Sequence, residues 1–315
     1  MSAGLLPEVG LASSPDHSRV PVGPGAVATR LSTALAAVAA VTCALILLVP
    51  HVLTGTAVMN GSARGTAAVA LVLGVPALTT AMVLARRGWA RAVPVWLGAV
   101  AYLLYNAVLL VFATPFDHLF LLYLLMLSMA LWTLVTVLHG LDVRRFAALF
   151  APATPVRSVA IYVYGVVGLN AVAWLAPILR ATRTDGPPQF LAGTGLTTSP
   201  VYVQDLAFWL PAMAMAATWL WRRSARGYLL VTAGLATWAV ESVGVAVDQW
   251  FGHAADPAST VASASAGPVF ALLAVVGLVP LAAMLRGLPG SNASWPPPPA
   301  ETPAAGSPVT RTETG

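Results

Sequence analysis

The chain reads as an all-α membrane protein of about eight transmembrane helices. Three observations predict that class. Of its 315 residues, 58% are hydrophobic and only 9% are charged, where a soluble domain carries roughly a quarter charged residues. The apolar residues fall in runs of about 20, the length a helix needs to cross a hydrocarbon layer of roughly 30 Å. Runs such as Leu119-Phe120-Leu121-Leu122-Tyr123-Leu124-Leu125-Met126 also lack the polar–apolar alternation of membrane barrel strands. The helix is then the remaining way to satisfy the backbone in lipid.

In chain order, residues 1–29 hold four prolines and no apolar run ahead of a cleavage site, so they read as a disordered cytoplasmic arm rather than a signal peptide. The bundle occupies 30–286. Its spans are expected near 32–53, 65–85, 92–113, 118–139, 157–179, 201–221, 227–249 and 267–285. The single cysteine, Cys43, lies in the first span without a partner for a disulfide or zinc motif, and reads as a small core residue. Asp117 opens the fourth span after Thr114-Pro115-Phe116 and suits a helix N-cap. Residues 181–199 form the longest outer connection, the kind of segment in which lids and binding elements occur. Residues 287–315, with prolines at 296 to 299, form a disordered Pro-rich cytoplasmic tail.

Arginine sets the orientation. All sixteen basic residues are arginine, a codon bias that points to a GC-rich, actinobacterial source. With the N-terminus inside, thirteen arginines fall on inner segments: Arg19, Arg30, Arg86, Arg87, Arg91, Arg144, Arg145, Arg157, Arg222, Arg223, Arg226, Arg286 and Arg311. Only Arg64, Arg180 and Arg183 fall on outer loops. Cytoplasmic loops are the arginine-rich ones, so both termini belong in the cytoplasm of a multi-pass inner-membrane protein. The arginines spread along membrane edges instead of gathering in one patch, which excludes a nucleic-acid reading of the +5 charge. The partner the composition demands is the lipid bilayer. Trp89, Trp219, Trp221 and Trp250 sit where interface anchors belong.

Two stretches look alike. Pro76-Ala77 leads through an apolar helix to Arg86-Arg87-Gly88-Trp89-Ala90-Arg91 and a span bearing Tyr105 and Asn106. Pro211-Ala212 leads likewise to Arg222-Arg223-Ser224-Ala225-Arg226 and a span bearing Glu241. Spans 1–4 and 5–8 would then be two parallel four-helix halves, an arrangement found in transporters.

Glu241 is the sharpest anomaly. Fourteen residues beyond Gly227, it stands about 21 Å up its helix, where a carboxylate costs about 2.5–3.5 kcal/mol. It therefore faces the bundle interior, either protonated or partnered. Asp248 follows seven residues on, Asp205 lies in the outer half of the sixth span, and Arg180 is the nearest cation along the chain. The third span adds Tyr102, Tyr105 and Asn106 and the fifth Asn170; Tyr105, Asn106 and Asn170 are expected at a depth comparable to that of Glu241. Together, Glu241, Asp248, Asp205, Tyr105, Asn106, Asn170 and Arg180 outline a candidate outward-facing polar cavity for a small solute or ion. The alternative is that these polar groups hold helices together at about 0.6–2 kcal/mol each. An outer metal site from His51, Asp117, His118, His253 and Asp256 lacks any recognised ligand spacing. Asn60-Gly61-Ser62 matches a glycosylation acceptor on an outer loop.

No His-Glu-x-x-His, phosphate-binding Gly-x-x-x-x-Gly-Lys, Gly-x-Ser-x-Gly elbow or cysteine pair occurs. Neither a catalytic role nor a cofactor is expected. The segments Ala-Arg-Arg-Gly-Trp (85–89), Trp-Leu-Gly-Ala-Val-Ala-Tyr-Leu-Leu-Tyr-Asn (96–106) and Phe-Asp-His-Leu-Phe-Leu-Leu-Tyr (116–123) resemble a family of uncharacterised polytopic bacterial integral membrane proteins. Asp-Leu-Ala-Phe-Trp-Leu-Pro (205–211) and Arg-Arg-Ser-Ala-Arg-Gly-Tyr (222–228) are similar to that family's second half. Asp117 stands where the family pattern has asparagine. The resemblance implies a bacterial membrane location and no activity. Function thus divides between binding or transport of a small solute or ion, with Glu241 as the titrating group, and a non-transporting scaffold or sensor whose tail recruits a partner.

Overall fold

The computed structural model describes residues 24–186 and 188–290. The described residues contain no strand. Eight long helices follow one another: α1 (Ala26–Leu48), α2 (Ala57–Arg86), α3 (Ala92–Phe112), α4 (Phe120–His139), α5 (Val156–Ala181), α6 (200–221), α7 (Ala225–Ala255) and α8 (Ala266–Arg286). Seven of them, all but α6, are long and apolar enough to cross a membrane. In α6 the early Gln204 and Asp205, two prolines and three tryptophans dilute the apolar run. A one-turn helix, Val143–Ala147, is capped by the Asp142 carboxylate, which accepts from the amides of Arg144 and Arg145. Most of the expected arm 1–29 and tail 287–315, with Arg19 and Arg311, lies outside the described residues.

Four boundaries differ by five residues or more from the sequence reading: the start and the end of α1, the start of α2, and the end of α7, which runs on to Ala255 rather than 249. The first helix stops at Leu48, ahead of Pro50 and of His51, whose φ is 56°. The second begins at Ala57 rather than near 65, so Arg64 sits inside α2 and not in an outer loop. The reason is packing. An ideal Cβ on Gly65 would lie 2.8 Å from the Asp248 Cα, and one on Gly61 would lie 2.5 Å from the Phe251 carbonyl oxygen. Gly61 and Gly65, four residues apart, let the α2 and α7 backbones touch. Small residues at that spacing drive association where lipid supplies no hydrophobic force between helices. Asn60-Gly61-Ser62 is accordingly helical, and the Asn60 amide is spent on the backbone N–H and carbonyl of Gly55.

α7 is the hub, packed along α2, α3, α6 and α8. In the first half α1 meets α2, α2 meets α3, α3 meets α4 and α4 returns to α1. In the second α5 meets α6, α6 meets α7, α7 meets α8, and α8 touches α5 lightly. α3 is the most enclosed helix, with 67% of its apolar window buried against 17% for α5 and α8, so the last two present most of their surface outward.

Both Pro-Ala sites share one local structure. A proline withholds the amide that would bond four residues back, and its ring crowds that carbonyl. The chain answers with a π turn just before each: Ala70–Gly74, closed by the Val75 amide on the Ala70 carbonyl, and Asp205–Trp209, closed by Leu210 on Asp205. The two helices then run twelve residues each, Val75–Arg86 and Leu210–Trp221. They end in matching turns. Gly88 donates to Ala85 and Trp89 to Leu84, while Arg223 donates to Leu220 and Ser224 to Trp219. Gly88 and Arg223 occupy the left-handed position, at φ 87° and 54°, as this helix ending requires.

Candidate functional site

The site begins at the contact of α3 with α7. Gly98 has no side chain, and an ideal Cβ there would lie 2.6 Å from the Ala233 carbonyl oxygen. The helices therefore meet backbone to backbone, and Thr237 Oγ1 donates to the Gly98 carbonyl at 3.0 Å. Two turns further along, the same approach sets Asn106 against Glu241. Asn106 Nδ2 donates to Glu241 Oε2 at 3.3 Å and to the Tyr102 carbonyl at 2.9 Å. Asn106 is buried while Glu241 is half-buried. The first half of α7 is mostly enclosed, but from Trp238 to Gln249 every residue except Gly244 is only half-buried. The Glu241 end of α7 is therefore less enclosed than its beginning.

Asp205 sits at the start of the α6 π turn. Trp174 Nε1, from α5, donates to its Oδ2 at 2.8 Å, and the Tyr105 hydroxyl lies beside the same carboxylate. The Tyr105 ring is 6.0 Å from that of Trp209. Trp174 stacks on Tyr202 at 4.7 Å, and Phe190, from the 181–199 connection, follows at 5.0 Å. Asp248 lies where α7 crosses Gly65, beside Ser62, and accepts from Gln249 Nε2 at 3.3 Å. Tyr105 is within electrostatic reach of all three carboxylates, and Glu241 is within reach of the other two.

The remaining predicted residues stay apart. Asn170 donates to the Val166 carbonyl of its own helix at 2.9 Å, and Arg180 is exposed at the end of α5. Among the described residues, no arginine forms an ion pair with Glu241, Asp205 or Asp248; Arg145 pairs instead with Asp142, at 3.3 Å. His51, Asp117, His118, His253 and Asp256 make no metal site, since no three of the His, Cys, Asp or Glu residues described converge on one point. Asp117 is spent at the start of α4, accepting from the Leu119 amide at 2.8 Å and the Tyr123 hydroxyl at 3.0 Å.

Sequence reasoning missed Trp174 and Trp209. An indole N–H at membrane depth needs an acceptor, and Asp205 is the acid on the next helix, so Trp174 was findable. Chemically, the arrangement offers three carboxylates held by neutral donors, with lone pairs to spare. Comparison with family models, curated proteins and solved structures finds no match to this chain.

Proposed function

We propose that this is an eight-span bacterial inner-membrane protein with both termini cytoplasmic, built as two parallel four-helix halves, which binds or transports a small solute or ion at Glu241. One observation carries the functional part. Glu241 stands deep in the hub helix, half-buried, bonded to neutral Asn106 and without an ion-pairing arginine among the described residues. A carboxylate retained there at a cost of about 2.5–3.5 kcal/mol is explained by exchange with a proton or ligand.

The paired architecture is supported by spacing. Asn106 and Glu241 are 135 residues apart and bonded to each other. Gly98 and Ala233 share that offset and also touch. So do the two π turns, the two left-handed residues and the hydrogen bonds of both helix endings. Equivalent residues that meet each other lie on an axis relating the halves, here running between α3 and α7. Like-oriented repeats about an axis along the membrane normal are a transporter plan.

The test is thermal stability of the purified full chain and of Glu241→Gln between pH 5 and 9. The groups facing Glu241 are Asn106, Tyr102 and Tyr105 from α3, Asp205 from α6 and Asp248 from its own helix. A pH-dependent step present in the wild type and lost in Glu241→Gln is expected. Superimposable profiles would reduce Glu241 to a helix-packing group and end the transport reading.

A further inference from the structure

The end of α7 away from Glu241 carries a second cluster, at the arginine-rich edge of the bundle. There the chain leaving α4, the end of α6 and the start of α7 border an open cavity of about 470 Å³, lined by residues 141–144, Trp219 and residues 224–226. Its charges do not balance. Asp142 is the acid in the lining, and its carboxylate is occupied: it accepts from the amides of Arg144 and Arg145 and pairs with the Arg145 guanidinium at 3.3 Å. Arg144 and Arg226 are exposed, and neither guanidinium forms a hydrogen bond or ion pair among the described residues. Arg226 lies over the Trp219 ring instead, 5.8 Å from its centre. Ser224, at the N-cap of α7, makes no capping bond, so the first amides of that helix add to the positive charge.

The other half of the chain shows what a closed version looks like. Arg91 stands 135 residues before Arg226, the offset that also separates Asn106 from Glu241. Its guanidinium is committed to protein: Nε and Nη2 donate to the Leu288 carbonyl at 3.1 and 3.0 Å. Leu288 is the second residue past the end of α8, and the second residue past the end of α4 is Leu141. Leu141 lines the cavity beside Arg226, yet no bond joins them among the described residues. Where one arginine is closed by a carbonyl, its counterpart leaves a space with two unpaired guanidinium groups.

Guanidinium forks match pairs of phosphate oxygens. Basic pockets between spans at the cytoplasmic edge hold anionic lipid headgroups, and tryptophan sits at headgroup depth. We propose that the cavity between Arg144, Trp219 and Arg226 binds the phosphate of an anion that carries no cation of its own, either an anionic phospholipid headgroup or free phosphate. The inference is independent of Glu241.

The experiment follows the unfolding midpoint of the purified full chain in neutral detergent. The probes are dioctanoyl phosphatidylglycerol, dioctanoyl phosphatidylcholine as its zwitterionic match, and inorganic phosphate against chloride at equal ionic strength. A saturable rise is expected with phosphatidylglycerol beyond phosphatidylcholine, or with phosphate beyond chloride. A rise with the lipid alone assigns a headgroup site, and one with phosphate alone assigns a free anion. Half-saturation should move about tenfold higher in Arg226→Gln and in Arg144→Gln, and less in Arg226→Lys, which keeps the charge but loses the fork. Both arginines are exposed, so the variants should unfold near the wild-type midpoint without ligand; Arg226→Lys carries the test if Arg226→Gln does not fold. Arg91→Gln, whose guanidinium faces Leu288, should leave half-saturation unchanged. The proposal is overturned by no saturable rise with either anion, by an equal rise with phosphatidylcholine, or by a rise undiminished in either glutamine variant. Equal weakening in Arg91→Gln also overturns it, since the effect would then be one of overall charge.

Discussion

At the scale of single residues, the Asn106–Glu241 bond decides whether the polar groups of α3 and α7 act together. Interhelical hydrogen bonds in membranes contribute about 0.6 kcal/mol on average and up to about 1.7, and bonds to a charged group lie at the upper end of the range. A double-mutant cycle of Asn106→Ala and Glu241→Ala, read by denaturant unfolding in micelles, should therefore give a coupling of about 0.6–2 kcal/mol. Strict additivity would mean that the two side chains do not interact. Glu241 was legible in the sequence because an acid at membrane depth is conspicuous against apolar neighbours. Its partner was less so, since Tyr105 and Asn106 stand side by side and only the helix crossing assigns Asn106 to Glu241 and Tyr105 to Asp205. Arg180 illustrates the opposite failure: closeness in sequence to the acids did not become closeness in space.

Among the elements, the matched helix endings make a sharper prediction. The left-handed position costs an L-residue about 1–2 kcal/mol that glycine does not pay. The first ending has Gly88 there and the second has Arg223, whose guanidinium reaches the Tyr228 hydroxyl at 3.4 Å. Arg223→Gly should stabilise the protein by about 1 kcal/mol, and Gly88→Ala should destabilise it by a similar amount, measured as shifts in unfolding midpoint. Shifts of the same sign at both sites would contradict the equivalence of the two turns. The existence of seven long apolar helices was readable from apolar length, and so was the likeness of the two Pro-Ala stretches. The onset of α2 was not, because Asn60-Gly61-Ser62-Ala63-Arg64 looks like a loop until α7 lies across Gly61 and Gly65. The polar start of α6 is helical because Ser199 accepts from the Tyr202 amide and the π turn takes up the proline.

For the whole molecule, orientation is the property that arginine placement predicts and a membrane experiment can read directly. Cys43 is buried and is the sole cysteine, so the wild-type chain is a silent background for thiol labelling. Thr184 and Gly290 are both exposed. In intact cells, a membrane-impermeant maleimide should label Thr184→Cys and spare Gly290→Cys until the membrane is opened. The reverse pattern would invert the protein. The same scale explains why the neighbour pattern of the helices was beyond sequence: an apolar run specifies that a helix spans, but the smallest residues on its faces specify which helix it meets.

The π turns carry one further meaning, which concerns rotation. A residue advances an α-helix by about 100°, so a turn holding one residue more than usual swings everything beyond it around the axis by about that angle. In α2 and in α6 the segment beyond the proline and the segment before it thus look in different directions from those an unbroken helix would allow. In α6 that swing brings Asp205 round to Tyr105 and Trp174; in α2 the matching place is taken by Ala70. A single surplus residue has re-aimed the end of a helix while leaving its other end, and the whole remainder of the bundle, in register. The same kind of turn occurs in both helices, and only the one in α6 turns an acid towards its neighbours.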